Sequence, residues 1–215
     1  MAKIVNKEKI KSLFANEQSL MVGGFIESGL PAELIKILLE SKASDLTLIA
    51  NDTGFDDQTF GQLVVEKRLK KAIVSHVGTN RETGRQMNAG ELEVELTPQG
   101  TLIEQIRAGG AGLGGVLTKT GIGTTVAEDK RIIEVDGEDY ILAKPLQADI
   151  ALVKAWKADK KGNLIYRYAA RNFNPIVATA ADIVIVEADE ILEVGEIDSN
   201  QVMTPGLFVD YILEK

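Results

Sequence analysis

Residues 22–31 read Val22-Gly23-Gly24-Phe25-Ile26-Glu27-Ser28-Gly29-Leu30-Pro31. An apolar run, Leu20 to Val22, stops at two glycines, and Pro31 then opens an amphipathic run that ends at Leu39. This pattern predicts a strand, a glycine turn and a helix start. Glycine lets backbone approach a ligand with no Cβ in the way. A proline in the first helical turn has no N–H to leave unpaired, and the free N–H groups of a helix N-terminus attract anions. The segment is a candidate cradle for a phosphate, a carboxylate or an oxyanion. A tight strand-to-helix turn would use the same residue types, so residue physics alone leaves both readings open.

A second glycine cluster spans Gly109-Gly110-Ala111-Gly112-Leu113-Gly114-Gly115. Five glycines in seven residues predict a loop, one where backbone can approach a ligand. Gly110, Gly112 and Gly115 match G-x-G-x-x-G, but a dinucleotide fingerprint needs a strand before it and a helix after it. Here a helical pattern, Thr101 to Arg107, precedes, and the non-helical Val116 to Gly123 follows, so that site is rejected. Lys119-Thr120 makes no phosphate-binding P-loop, because the glycine that should precede the lysine is missing.

Other side chains are candidates with plainer alternatives. Glu27 lies in the first glycine loop and Glu91 follows Gly90; each is a possible nucleophile, and a solvated or structural carboxylate is the better reading for both. The single histidine, His76, ends the run Ala72-Ile73-Val74-Ser75 and is assigned a strand-end hydrogen-bonding role rather than a catalytic one. A Ser-His-Asp triad or a histidine-rich zinc site would rest on it alone. The basic run Lys67-Arg68-Leu69-Lys70-Lys71 reads as a solvated helix face, with phosphate binding as the rival. Arg81, Arg85, Arg107 and Lys119 are weaker anion candidates, and Trp156 is expected in the core.

The elements that must position these residues alternate. Strands are expected at 19–22, 46–50, 72–76, 92–96, 150–154 and 183–187, and helices at 7–15, 31–41, 60–70, 100–107, 175–181 and 205–213. Several strands are continuous apolar runs, as buried parallel strands are. Asn174 before Pro175 is expected to cap a helix. Residues 131–143 hold two β-like runs around Asp136-Gly137, a hairpin signal. The fold class is therefore α/β: an open, mostly parallel sheet flanked by helices, with an antiparallel hairpin insertion. The length of 215 residues suits one domain, 1–215.

Composition narrows the function. Hydrophobic residues are 45% and charged residues 26% of the chain, ordinary for a globular protein. There is no cysteine, which excludes disulfides and thiolate metal sites and suits a cytoplasmic setting. No signal-peptide core and no apolar run near 18 residues is visible, so no membrane association is expected. The formal net charge of −8 argues against nonspecific nucleic-acid binding, though a local site can still oppose the global charge.

The string Gly23-Gly24-Phe25-x-x-x-Gly29-x-Pro31 resembles the signature of the α (A) subunits of two-subunit 3-oxoacid and acetate CoA-transferases, the acetate/butyrate–acetoacetate enzymes among them. Pro98 to Gly112 and Thr118 to Thr124 are similar to the same family, although Lys119 stands where a proline is common. So are Ala151 to Asp159 and Gly162 to Pro175, and the resemblance runs from about residue 20 to about 210.

The resemblance implies a CoA-transferase and ribose-phosphate-isomerase-like fold, and transfer of CoA from an acyl-CoA to a short-chain acid such as acetate, butyrate or acetoacetate. It places the nucleophilic glutamate on a partner β (B) subunit, within an α2β2 complex. Gly23, Gly24, Phe25, Ile26, Glu27, Ser28 and Gly29 are then the CoA-binding segment. Asn51 and Gln99 would line the reaction centre as donors, with turn formation as the plainer role of Asn51. Gly110 and Gly112 would let backbone amides reach the substrate. CoA and acyl-CoA are implied as substrates, with no permanently bound cofactor and no metal. Two rivals stay open: a non-catalytic acyl-CoA-binding subunit, and a sugar-phosphate isomerase or sensor on the related fold.

Overall fold

The structure, a computed structural model, describes residues 2–214. In chain order the strands are β1 (Lys3–Val5), β2 (Ser19–Val22), β3 (Leu46–Ile49), β4 (Leu69–Val74), β5 (Glu93–Leu96), β6 (Val116–Thr118), β7 (Ile132–Val135), β8 (Glu138–Ala143), β9 (Ala148–Asp159), β10 (Leu164–Ile165), β11 (Ala181–Leu192) and β12 (Tyr211–Leu213). The helices are α1 (Lys7–Lys11), α2 (Ala32–Ser41), α3 (Gly61–Val65), α4 (Arg81–Asn88), α5 (Gln99–Gly110) and α6 (Asn174–Val177). The main sheet runs β1-β12-β11-β9-β2-β3-β4-β5, and every neighbouring pair on that path is parallel. The short β10 joins β9 antiparallel, and β6-β8-β7 form a separate antiparallel sheet.

Both faces of the main sheet are covered, and successive residues of one strand serve opposite cores. Leu20 and Val22 of β2 face Leu34, Ile35 and Leu38 of α2, while Met21 belongs with Leu102 and Ile106 of α5. On β9, Ile150 and Leu152 go to the first core, and Ala151 and Val153 to the second. Burial on both sides is why these strands read as unbroken apolar runs.

The chain winds outward from β2 through β3, β4 and β5, then returns to build β9, β11 and β12 on the other side of β2. The direction of winding reverses between β2 and β9. In open parallel sheets, ligands bind beyond the carboxyl ends of the strands at such a reversal. The glycine loop 23–29 leaves the carboxyl end of β2 at this point.

The expected mixed α/β sheet is present, and so is the hairpin. Asp136 and Gly137 take φ of 54° and 80°, the two positive values a type I′ turn requires.

Four local expectations are corrected. The helix read over 60–70 ends at Val65; Lys67 takes φ of 53° and Leu69 begins β4. The basic run is therefore no helix face: Lys67 pairs with Glu91 and Lys71 with Glu93 and Glu95, while Arg68 turns inward. The helix read over 205–213 is a single 3-10 turn, Gly206–Phe208, followed by β12, because Tyr211 to Leu213 find parallel partners in β1 and β11. Asn174 is the first helical residue of α6, not its cap.

The glycine cluster 109–115 is not one loop, since α5 continues through Gly110. A Cβ on Gly110 would stand 2.2 Å from Thr179 Oγ1, so this glycine lets α5 pack against the chain after α6. Gly112, at φ of 68°, ends the helix: its N–H donates to Gly109 O at 3.3 Å and that of Leu113 to Ala108 O at 2.9 Å, the paired bonds of a Schellman motif.

Arg68 is 7% exposed, and its guanidinium donates to the carbonyls of Ala43, Leu39 (3.1 Å) and Leu38 (3.2 Å) at the end of α2. It satisfies carbonyls the helix cannot pair and places a cation at the negative end of the dipole. Arg68→Met should keep the packing volume of the stem yet remove three charge-assisted bonds and leave the Ala43 carbonyl without a donor, while Leu38 O keeps Ser41 Oγ and Leu39 O keeps Lys42 N–H. We expect a loss of about 2–4 kcal/mol in denaturant unfolding; a midpoint unchanged from wild type would show that solvent satisfies the same carbonyls.

Candidate functional site

The 23–29 loop cannot satisfy its own backbone. Gly24, Ile26 and Gly29 all have positive φ, at 113°, 53° and 75°. Inside the loop, Phe25 and Ser28 exchange N–H···O bonds of 3.1 and 3.0 Å, and Gly23 N–H donates to Leu152 O on β9 at 2.9 Å. Everything else that holds the loop comes from distant side chains.

Asn174 is the first of these. It is fully buried; its Nδ2 donates to Gly29 O (2.8 Å) and Ala170 O (3.0 Å), and its Oδ1 accepts Lys154 N–H (2.8 Å). A Cβ on Gly23 would lie 2.0 Å from that Oδ1, and one on Gly29 would lie 2.7 Å from Ala170 Cα. The signature glycines thus make room for Asn174 and its turn. Asn172 adds a bond to Ser28 O at 2.8 Å.

Asp52 is the second. Only 1% exposed, it accepts Ile26 N–H (2.9 Å) and Asn51 Nδ2 (2.8 Å) on one carboxylate oxygen, and Gly54 N–H (2.9 Å) on the other. Asn51 Oδ1 lies 2.9 Å from Ser75 Oγ, which donates from the end of β4. The loops after β2, β3 and β4 are therefore one hydrogen-bonded unit.

Glu187 is the third. The positive end of α2, a candidate cradle for a ligand anion, holds a protein carboxylate: Glu187 Oε2 accepts the N–H groups of Glu33 (2.8 Å) and Leu34 (3.2 Å). Its other oxygen takes Lys154 Nζ at 2.9 Å, and Lys154 also reaches Asp189 at 2.6 Å. Burial pulls the Lys154 ammonium pKa down, but the bonds to Asp189 and Glu187 outweigh it and leave it raised. The parallel register that sets Lys154 beside Glu187 makes this possible.

Beside the loop lies a cleft of about 340 Å³ lined by Glu27, Gly29, Lys154, Trp156, Arg167 and Tyr168 among others. Trp156, expected in the core, is half-buried on its wall, because strand alternation puts it on the face of β9 it shares with Lys154 and opposite the buried Ala155. Arg167 stacks on Trp156 (5.2 Å) and Tyr168 (4.6 Å), the latter 82% exposed.

Phe25, Glu27 and Ser28 are exposed at the loop and Ile26 is half-buried. Asn51 is 4% exposed behind it. Gln99 is exposed at the start of α5, just after β5, so it shares the carboxyl edge of the sheet with Asn51. His76 is exposed and bridges to Asp52 through the backbone, as a strand-end residue does. Glu91 is structural: bonds from Arg85, then Lys67, hold its carboxyl at about 2. Arg85 is likewise engaged with Glu82 and Glu91, Arg107 with Glu104 and Lys119 with Glu138. No cluster of three metal-ligating side chains occurs among the described residues, and no helix among them is long and apolar enough to cross a membrane.

Sequence reasoning missed Asp52, Asn174 and Glu187 as organisers of the loop. The run Asn51-Asp52-Thr53-Gly54 after an apolar strand carried an Asx-turn signal for Asp52. Nothing local marked the other two, which act across about 150 residues of chain.

A glycine loop at the winding reversal of a doubly covered parallel sheet is a fold shared with solved acyl-transferring enzymes. Glutaconate coenzyme A-transferase from Acidaminococcus fermentans superposes with a TM-score of 0.88 at 20% identity, over 99% of this chain and 75% of that one. The acyl-CoA transferase YdiF from Escherichia coli O157:H7 gives 0.86 at 21% identity, and this chain spans about half its length, 47%. Sequence comparison goes further. The family model described as Coenzyme A transferase matches residues 6–215. Acetate CoA-transferase subunit alpha of Escherichia coli K12 is 52% identical over 98% of this chain and 96% of its own. The acetoacetyl-CoA:acetate/butyrate CoA transferase alpha subunit of Clostridium acetobutylicum is 44% identical over 100% and 98%. The chain belongs to the coenzyme A transferase family.

Asn174→Ala would strand the Gly29 and Ala170 carbonyls and the Lys154 N–H together. The expected loss is about 2–4 kcal/mol, with hydrogen exchange accelerating in 24–30 and 168–172 ahead of β3 and β4. Uniform acceleration across the sheet would show that Asn174 supports the fold generally and not this loop.

Proposed function

We propose that this chain is the α subunit of a CoA-transferase that moves CoA from an acyl-CoA to a short-chain carboxylic acid, with acetate, butyrate and acetoacetate as the acids. The observation that carries the reading is full-length identity of 52% and 44% to α subunits named for acetate and for acetate/butyrate transfer. The site's place at the carboxyl ends of β2 and β9 supports it.

The chemistry must conserve a thioester while keeping water out. A glutamate of the partner β subunit attacks the acyl-CoA carbonyl and releases CoA as a thiolate, forming an acyl-glutamyl anhydride. The thiolate then attacks the glutamyl carbonyl; the original acid leaves as its carboxylate and a glutamyl-CoA thioester remains. A second acid runs the two steps in reverse. Each step places negative charge on a carbonyl oxygen, which needs fixed N–H donors.

In this reading the present chain supplies a wall of that site. Residues Gly23 to Gly29 form the CoA-binding segment; among the described residues the N–H groups of Glu27 and Gly29 meet no acceptor. Asn51 and Gln99 are side-chain donors at the same edge of the sheet, and Gly112, exposed beyond α5, gives backbone access; Gly110 acts through the packing of α5. Coenzyme A comes and goes as a substrate, with no resident cofactor. The working unit is an α2β2 complex in the cytoplasm.

CoA exchange between acetyl-CoA and acetoacetate or butyrate tests the reading, run with this chain alone and with the product of the adjacent gene. Exchange is expected in the mixture alone, with a CoA adduct on a partner glutamate by mass spectrometry. Exchange by this chain alone would move the nucleophile here and direct mutation to Glu27. No exchange in either case, with several acids tried, would favour a non-catalytic binding subunit or an isomerase.

A further inference from the structure

We infer that Asp52 is a positioning residue for CoA transfer: its buried carboxylate locks the orientation of the Asn51 amide and ties that amide to the 23–29 loop. The inference rests on the reading of Asn51 as a donor to the reacting carbonyl.

A primary amide fits its cavity in either of two orientations, with oxygen and nitrogen exchanged. Here the Asp52 carboxylate selects one of them. An ionised carboxylate only accepts, so Asp52 Oδ2, 2.8 Å away, demands the Nδ2 end. At the other end the Ser75 hydroxyl lies 2.9 Å from Asn51 Oδ1 and 2.8 Å from Asn51 O, and its single hydrogen can serve the amide oxygen in the orientation that Asp52 selects. A flipped amide would set its oxygen against the Asp52 carboxylate. One N–H of Nδ2 is taken by Asp52, and the second meets no acceptor among the described residues. Its direction is therefore fixed before a ligand arrives, which is the condition under which a donor stabilises a developing oxyanion best.

The same Oδ2 atom also accepts Ile26 N–H at 2.9 Å, from a residue at φ of 53°. One oxygen thus sets the loop and the amide relative to each other, while Oδ1 holds Gly54 N–H. Beneath them Thr53 is fixed in turn: its Oγ1 takes the Thr83 hydroxyl at 2.9 Å and its carbonyl takes Asn80 Nδ2 at 3.1 Å. An asparagine at position 52 would have the same shape but one accepting oxygen. It could not meet three donors, and its own NH2 would face an N–H.

The test uses the assembled complex with the adjacent-gene subunit, and kcat and KM for acetyl-CoA and acetoacetate. The variants are Asn51→Ala, Asp52→Asn and the double substitution. Asn51→Ala is expected to lower kcat by about 100-fold, as loss of one oxyanion donor does. Asp52→Asn should lower kcat at least about tenfold, and the double variant should be no slower than Asn51→Ala within about twofold, because Asp52 acts through Asn51.

An unchanged kcat in Asp52→Asn beside an impaired Asn51→Ala overturns the positioning role and leaves the donor reading standing. Losses that multiply in the double variant overturn it too. An unchanged kcat in Asn51→Ala overturns the donor reading and this inference with it. A wild-type complex that exchanges no CoA overturns the transferase reading beneath both. If Asp52→Asn does not fold, Ser75→Ala removes the opposite arm of the lock; a kcat a few-fold lower, and not additive with Asn51→Ala, is expected, and an unchanged kcat overturns the inference.

Discussion

Three positive-φ residues within a single turn oblige the rest of the molecule to supply what that turn lacks. The 23–29 loop makes one reciprocal pair of internal backbone bonds and one bond to β9. Its remaining contacts come from Asp52 on one side and from Asn172 and Asn174 on the other. Asp52 follows β3 and Asn172 and Asn174 precede β11, so they reach the loop from the two sides of β2. The loop's shape is thus a consequence of topology: β3 delivers Asp52, and the segment between β9 and β11 delivers Asn174.

The same junction settles the electrostatics. A helix N-terminus beside a glycine loop attracts anions, but in this molecule Glu187 already occupies the first turn of α2, with Lys154 and Asp189 completing the chain of charges. An external anion would have to displace a carboxylate that accepts two backbone N–H groups and one ammonium. The cation left at the cleft is Arg167, whose guanidinium lies against the Trp156 and Tyr168 rings. A cation held this way keeps its charge available while its orientation is fixed.

Much of the fold was legible because it is written in local periodicity. The buried strands at 19–22, 46–50, 150–154 and 183–187 were visible as apolar runs, and the hairpin as Asp136-Gly137 between two of them. What failed was decided by partners far away in sequence. Tyr211 to Leu213 have no local reason to be a strand; they become one by lying between β1 and β11. The basic run 66–71 looked solvated until Arg68 found the carbonyls at the end of α2. The glycine loop itself was recognised, yet its reasons were not. Gly23 and Gly29 are glycines because Asn174 and Ala170 crowd them, a cause about 145 residues distant.

The carboxylates around the glycine loop are, but for one, committed to internal partners. Asp52 is held by three donors, Glu187 by the α2 N-terminus and Lys154, and Asp189 by Lys154 as well. Glu91 is clamped by Arg85 and Lys67. A nucleophile needs a lone pair free to attack, and hydrogen bonds that stabilise the anion oppose that. Glu27 alone among these acids makes no hydrogen bond or ion pair among the described residues, and it stands exposed on a turn at the cleft. The acids that shape this edge of the sheet thus act as acceptors that fix the loop and α2, and Glu27 stands apart from them.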